Sequence, residues 1–303
     1  MSDEMTAVIF DVQRFCIQDG PGIRTTVFFK GCPLRCLWCH NPESLSERQN
    51  FSYRADKCSN CGACRNACTY GVHSWKDEVH YVDFAKCVRC GACVEVCCYD
   101  ALSLTGRKVT VSDIMREIET DISYYESDGG VTLSGGEPMQ QPDFVKELSM
   151  RIKERGINLC METCGYTAPA NFRAVAPFID TFLFDYKATD PDEHKRLTGV
   201  SNGLILSNLK LLNSLGRPIV LRCPLIPGIN DTDQHLQGIA DTKTTYEQIT
   251  RVELLPYHMM GESKRLQMGI EKSLPDVHQA TEQQKRYWLE YLKKHDCQAE
   301  IVK

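Results

Sequence analysis

No run of basic residues interrupts this chain, and its net charge is mildly acidic at −5. Nucleic acid and anionic membrane surfaces bind through clustered lysine and arginine, so neither is an expected partner. No apolar run approaches the ~20 residues that a membrane-crossing helix needs. Residues 1–10 contain acidic side chains and no long apolar stretch, so neither a signal peptide nor a membrane span is expected. The chain therefore reads as cytoplasmic. Low-complexity sequence is absent as well. A length of 303 residues with 42% hydrophobic side chains suits one large α/β domain, or a barrel of about 200–250 residues carrying an insertion.

Cysteine is what the chain has in excess, with 17 in all. Dense cysteine in a secreted chain suggests disulfides, whereas in a reducing cytosol it points to metal ligation. Three tight groups stand out: Cys32/Cys36/Cys39, Cys58/Cys61/Cys64/Cys68 and Cys87/Cys90/Cys93/Cys97. Apart from Cys98, which adjoins the third group, the remaining cysteines Cys16, Cys160, Cys164, Cys223 and Cys297 sit singly or in apolar strands and read as small core hydrophobes without a role.

Residues 24–29 (RTTVFF) are β-branched and aromatic, which predicts a buried strand running into the first cysteine loop. Residues 51–106 change to short Cys- and Gly-punctuated pieces without helical period, and read as an inserted domain. Ser112 then opens a predicted helix with Ile114, Met115, Ile118 and Ile122 on its apolar face. Strands are predicted at 131–133, 157–161, 181–184, 219–223 and 252–255, with helices between them and Gly156 and Gly216 as helix stops. Six β/α units argue for an α/β fold, a parallel sheet curled into a partial (β/α)6 TIM-like barrel. It would be built from residues 1–50 and 107–303, with its site at the C-terminal ends of the strands.

Cys32-x3-Cys36-x2-Cys39 offers three thiolates from one loop, enough for three irons of a [4Fe–4S] cluster, and leaves one iron open to substrate. Zinc is the plainer alternative, but structural zinc takes four ligands and more usually shows two C-x2-C pairs. With Trp38 just before the third cysteine, this spacing resembles the signature of the radical S-adenosylmethionine superfamily. The resemblance implies that the open iron chelates S-adenosylmethionine and that an electron from the cluster breaks its S–C5′ bond. The expected product is a 5′-deoxyadenosyl radical.

Ser134-Gly135-Gly136-Glu137-Pro138 follows the second strand. Glycines there permit close backbone approach and a carboxylate can accept from an ammonium group, although an isolated GGE is more often an ordinary turn. In this superfamily such a motif contacts the S-adenosylmethionine amino group, a role that Gly136 and Glu137 inherit by resemblance. Asp185-Tyr186-Lys187 and Glu162-Thr163, at the ends of the fourth and third strands, resemble the D-x-K and Asp-Thr elements of enzymes that activate glycyl-radical enzymes. The first contacts S-adenosylmethionine there, and the second helps hold a monovalent cation, Na+ or K+. Glu162 stands where the pyruvate formate-lyase activators have Asp, which puts the cation in question. Arg222, whose buried charge needs a partner such as the methionyl carboxylate, together with His258 and His40, matches further S-adenosylmethionine-binding positions.

Residues 19–24 (DGPGIR) read locally as a Gly/Pro turn. In the glycyl-radical activators a like segment stands in this place, followed by the F-x-K-G-C-x3-C-x2-C-x-N-P-E run seen from Phe28 to Glu43. The resemblance thus spans nearly the whole chain. It implies an oxidoreductase whose radical removes a hydrogen from a glycine of a separate glycyl-radical enzyme, with flavodoxin, ferredoxin or another low-potential donor supplying the electron to a monomer.

The two four-cysteine runs repeat the bacterial ferredoxin pattern, in which the fourth cysteine of each run ligates the other cluster. Cys58, Cys61, Cys64 and Cys97 are therefore assigned to one [4Fe–4S] cluster and Cys87, Cys90, Cys93 and Cys68 to the other, three clusters in all, with two zinc sites as the alternative. Thr69 and Cys98 replace the proline that usually follows each fourth cysteine, so Cys98 competes with Cys97 for the ligand position. Two rival functions remain at this point. A radical enzyme acting on a small metabolite or a peptide would not need DGPGIR, and a ferredoxin-like electron carrier would leave the first cysteine group and GGE without purpose.

Overall fold

The computed structural model describes residues 5–274 and 276–302. β1 (Thr6–Cys16) pairs antiparallel with β2 (Arg24–Phe29). Beyond the first cysteine loop, β3 (Asn50–Tyr53), β4 (His73–Lys76), β5 (Val79–Val82) and β6 (Leu102–Thr105) form two small sheets, β3 with β6 and β4 with β5. β7 (Arg107–Thr110) returns to β1. β8 (Gly130–Gly135), β9 (Asn158–Thr163), β10 (Thr181–Asp185), β11 (Ile219–Leu225), β12 (Ile249–Pro256) and β13 (Glu300–Ile301) complete the set. The main sheet runs β13-β12-β11-β10-β9-β8-β2-β1-β7, and its strands are parallel from β2 to β13.

Every residue of β2 is buried and β8 nearly so, as befits strands covered on both faces and therefore continuously apolar rather than alternating. The six predicted strands are the six central ones, in sequential order. β1 escaped the sequence because its ladder slips between Ile9 and Asp11 and again between Gln13 and Cys16, which breaks the period-2 pattern. The helix expected from Ser112 also differs from expectation. It spans Val111–Glu119, one residue earlier than predicted, because Thr110 and Asp113 cap each other reciprocally. Ile122 lies beyond its end and is 44% exposed, since the chain turns there to deliver Asp121 to Arg14 and Thr25. Among the described residues no helix is long and apolar enough to cross a membrane.

Two buried cations tie the sequence motifs into this frame. Arg24 is fully buried and donates to Thr132 Oγ1 at 2.7 Å, Val131 O at 2.6 Å and Pro21 O at 2.9 Å, so it fastens the 19–24 turn to β8. Gly22 makes that turn possible: its φ is +67° and a Cβ would meet the backbone of Asp128 and Gly129. Gly22→Ala combines left-handed strain with overpacking against an immobile backbone, and is expected to remove about 2–4 kcal/mol of stability, read from the urea midpoint. Lys30, also fully buried, donates to Glu43 O and to Asn50 Oδ1 at 2.6 Å, with its stem against Gly106. It thereby holds both ends of the 51–106 stretch, whose own small core is built on Phe51, Val72 and Leu102.

Candidate functional site

Parallel strands deliver their C-terminal ends to one side of the sheet, and a cavity of about 280 Å³ opens there. Its walls include Cys32, Cys36, Trp38, Cys39 and His40 from the loop after β2, and Gly136 after β8. Glu162 and Thr163 of β9, Asp185 and Lys187 at β10, Arg222 of β11 and His258 beyond β12 close it. A Cβ on Gly136 would collide with the Gly31 carbonyl, so only glycine lets the β8 turn lie against the cysteine loop. The loop itself is pinned from outside: Arg35 N–H donates to Thr198 O at 2.7 Å and Leu37 N–H to Leu197 O at 3.0 Å, while Trp38 packs with Leu197, Ile226 and Tyr257.

The three sulfurs face this cavity with no disulfide among them. Burial pushes the Cys36 thiol up to about 12 and Cys39 to about 11, whereas a hydrogen bond with Cys164 lowers Cys32. Such thiols keep their protons in bulk water and lose them to a bound metal, which is the chemistry of a cluster ligand set. His40 and His258 stack with ring centres 3.8 Å apart, and His40 Nε2 and His258 Nδ1 are buried without a partner. Burial, reinforced by His258, holds His40 neutral with a pKa near 3. Unpaired polar atoms of this kind, beside three thiols on one wall, fit a cavity made for a cluster and a polar ligand.

Charge in the cavity is arranged in two knots. Arg222 donates to Glu162 at 2.8 Å and to Glu253 at 2.9 Å, and also to Gln18 O, while Ser134 donates to the second oxygen of Glu162. Burial alone would lower the guanidinium pKa, yet the Glu162 and Glu253 carboxylates together raise it. Lys187 lies 2.7 Å from Asp185, and here too burial disfavours the ammonium but the carboxylate prevails. The protein partner that Arg222 needs is thus Glu162 with Glu253.

Two predicted residues do not line the cavity. Glu137 is wholly buried behind it, accepting from Met139 N–H at 3.0 Å, Cys164 N–H at 2.7 Å and Thr163 Oγ1 at 2.9 Å, and so ties the β8 turn to the end of β9. Tyr186 points away, as alternation between Asp185 and Lys187 requires, and donates to Thr189 while stacking on His235. Conversely Cys164, which the sequence left without a role, lines the cavity beside Cys32, as do Gln18 and Asp19. Their legible signal was position: Cys164 directly follows β9, and Asp19 belongs to the DGPGIR turn.

The other eight cysteines gather in two further cavities. One is walled by Cys58, Cys61, Cys64 and Cys97, and the other by Cys68, Cys87, Cys90 and Cys93. Cys97 lines the first of these, while Cys98 is exposed and turned to Val96 O.

The radical SAM superfamily model matches residues 26–238. The chain is 41% identical to the indoleacetate decarboxylase activating enzyme of Tractidigestivibacter scatoligenes, over 96% of each chain. It is 45% identical to the trans-4-hydroxy-L-proline dehydratase activating enzyme of Clostridioides difficile, over 86% of this chain and 87% of that one. Streptococcus suis SuiB bound to precursor peptide SuiA shares the fold at a TM-score of 0.51 and 14% identity, covering 64% of this chain and 42% of SuiB. Three cysteines at one mouth of a parallel sheet, with relatives this alike along almost their whole length, leave one conclusion: the chain belongs to the radical SAM superfamily and, within it, to the enzymes that activate glycyl-radical enzymes.

Proposed function

We propose that this chain activates a glycyl-radical enzyme at the cavity walled by Cys32, Cys36 and Cys39, and the observation that carries the reading is the gathering of those three thiols with two unpartnered histidine nitrogens. When bound, a [4Fe–4S] cluster and S-adenosylmethionine supply a 5′-deoxyadenosyl radical that removes a hydrogen from a glycine of the partner enzyme. The chain's own residues hold and shield. Cys32, Cys36 and Cys39 would ligate three irons, and Gly136 would bring backbone to the ligand's amino group. Asp185, Lys187, Glu162, Thr163, His40 and His258 surround the rest with polar atoms, and Trp38 closes the wall against water. Glu137 and Tyr186 position this wall from behind. A monovalent cation, Na+ or K+, would have to share Glu162 with Arg222 and Asp185 with Lys187, and the reading does not require one.

The finer architecture is a partial barrel of residues 1–50 and 107–303 carrying a ferredoxin-like domain at 51–106. In that domain the Cys58/Cys61/Cys64/Cys97 and Cys68/Cys87/Cys90/Cys93 sets each take a [4Fe–4S] cluster, and the two separate cavities support this division. The protein works as a cytoplasmic monomer charged by flavodoxin, ferredoxin or another low-potential donor.

The test is anaerobic: the iron is reconstituted and reduced, S-adenosylmethionine is added, and 5′-deoxyadenosine is measured. The reduced protein is then mixed with a candidate glycyl-radical enzyme, and the expected result is a glycyl doublet in electron paramagnetic resonance. Cleavage without any doublet would count against the activating role, and absence of cleavage against the radical chemistry itself.

A further inference from the structure

Two buried histidines stand apart from the radical site. His73 and His80 occupy opposite strands of the β4–β5 hairpin, each is 5% exposed, and they meet with His73 Nδ1 3.0 Å from His80 Nε2. His80 Nδ1 lies 3.4 Å from Cys58 Sγ, a distance suited to an N–H···S hydrogen bond. Trp75 stacks on the His80 ring at 4.4 Å and 4°, and Tyr53 packs its edge there at 4.6 Å, so the ring has no freedom to turn aside. Burial, with the Cys58 sulfur beside it, pushes the Tyr53 phenol above its usual range.

The direction of these bonds follows from chemistry. A cysteine that ligates iron has no proton, so across the 3.4 Å contact only His80 can donate, from Nδ1. In the neutral ring Nε2 is then an acceptor, which makes His73 Nδ1 the donor of the 3.0 Å bond. His73 Nε2 is left without a proton, and it is buried without a partner. The relay therefore runs His73 → His80 → Cys58, and the 3.9 Å approach of Cys64 Sγ to His80 Nε2 carries no hydrogen bond, because both atoms are then acceptors.

The second cavity has no counterpart. Cys87 holds in its run the place that Cys58 holds in the first, yet the walls around Cys68, Cys87, Cys90 and Cys93 are Phe51, Val72, Val88 and Tyr70, and among the described residues no side-chain donor bonds those sulfurs. Hydrogen bonds to ligand sulfurs stabilise the reduced, more negative cluster and raise its potential.

We propose that His80, oriented by His73, makes the two insert clusters unequal, setting the Cys58/Cys61/Cys64/Cys97 cluster at the higher reduction potential so that an electron shared between them rests there. This rests on the reading that the insert holds two [4Fe–4S] clusters, and His80 acts as a positioning and tuning residue through the Cys58 sulfur.

The experiment uses the full chain with Cys32, Cys36 and Cys39 all changed to Ala, so that only the insert can be loaded. After anaerobic reconstitution, iron and sulfide are counted and the clusters are titrated reductively under electron paramagnetic resonance. About eight irons per chain and two separate reduction waves are expected, and Cys61→Ala identifies the higher wave by removing it. Adding His80→Leu should move the higher wave down toward the lower one and leave the lower in place, while His80→Gln, which retains an N–H donor, restores part of the separation. Should His80→Leu fail to load, His73→Leu decides: loss of the bond that orients His80 should move the same wave in the same direction by less. A loaded His80→Leu protein with both waves unmoved, or moved equally, overturns the inference. Iron near zero, or zinc in its place, overturns the two-cluster reading and the inference with it, and the metal count separates that failure from the former.

Discussion

Cys36→Ala is expected to abolish 5′-deoxyadenosine formation, a loss on the order of 10³-fold or more, while the insert keeps its iron. The reason lies in the cavity. Cys36 sits on the loop between Cys32 and Cys39, and no fourth protein sulfur replaces it: Cys164, the other cysteine in the wall, is buried against Cys32 and Glu137. Among the described residues these three sulfurs are the ligand set that faces the polar walls, and removing one breaks it. The loop should survive the change, because its anchors are the backbone bonds of Arg35 and Leu37 to Thr198 and Leu197 and the packing of Trp38. Iron should therefore fall from about twelve to about eight per chain. Cleavage at more than a few per cent of the unmodified rate would show that the chemistry does not depend on this triplet.

The second large effect is expected at Arg222. Its guanidinium is 5% exposed and joins Glu162 on β9 to Glu253 on β12. Taking one partner from a buried ion network commonly costs 3–5 kcal/mol, because the charges left behind are still desolvated. Arg251 stays 2.7 Å from Glu253, so that carboxylate retains a paired cation, whereas Glu162 keeps the Ser134 hydroxyl and the more distant charge of Lys187. Arg222→Met is accordingly expected to lose about 3 kcal/mol, the lower end of that range, measured as a shift in urea midpoint. Adding Glu162→Gln should return part of the loss, since the stranded charge is then gone, and the double-mutant cycle isolates that coupling. Strictly additive losses would mean that the two side chains do not depend on one another.

The parts of the fold that were legible in the sequence are those where one local rule dominates. β2 and β8–β12 are short apolar or β-branched segments bounded by turns, and they stand where expected. β1 was not legible, because its two slips of register destroy the alternation that marks a half-covered strand. At the site, spacing within one loop brought Cys32, Cys36 and Cys39 together, and strand ends supplied Glu162, Asp185, Lys187 and Arg222. Glu137 and Tyr186 were placed in the cavity by motif alone, and burial in one case and strand alternation in the other put them behind it. The contact of His73 with His80 depends on how β4 and β5 pair across their turn, where Trp75 faces His80, and no spacing in the sequence encodes that register.

The base of the insert carries a further consequence. β3 and β6 pair along their whole length, with Asn50 opposite Thr105, so the stretch leaves and rejoins the main chain at neighbouring points. A short turn could bridge that gap with little loop-closure penalty, and neither flanking strand of the main sheet would shift. The two-cavity region therefore meets the main sheet at one narrow base, and the Lys30 ammonium and stem, which grip Glu43 and Asn50 on one side and Gly106 on the other, carry that junction.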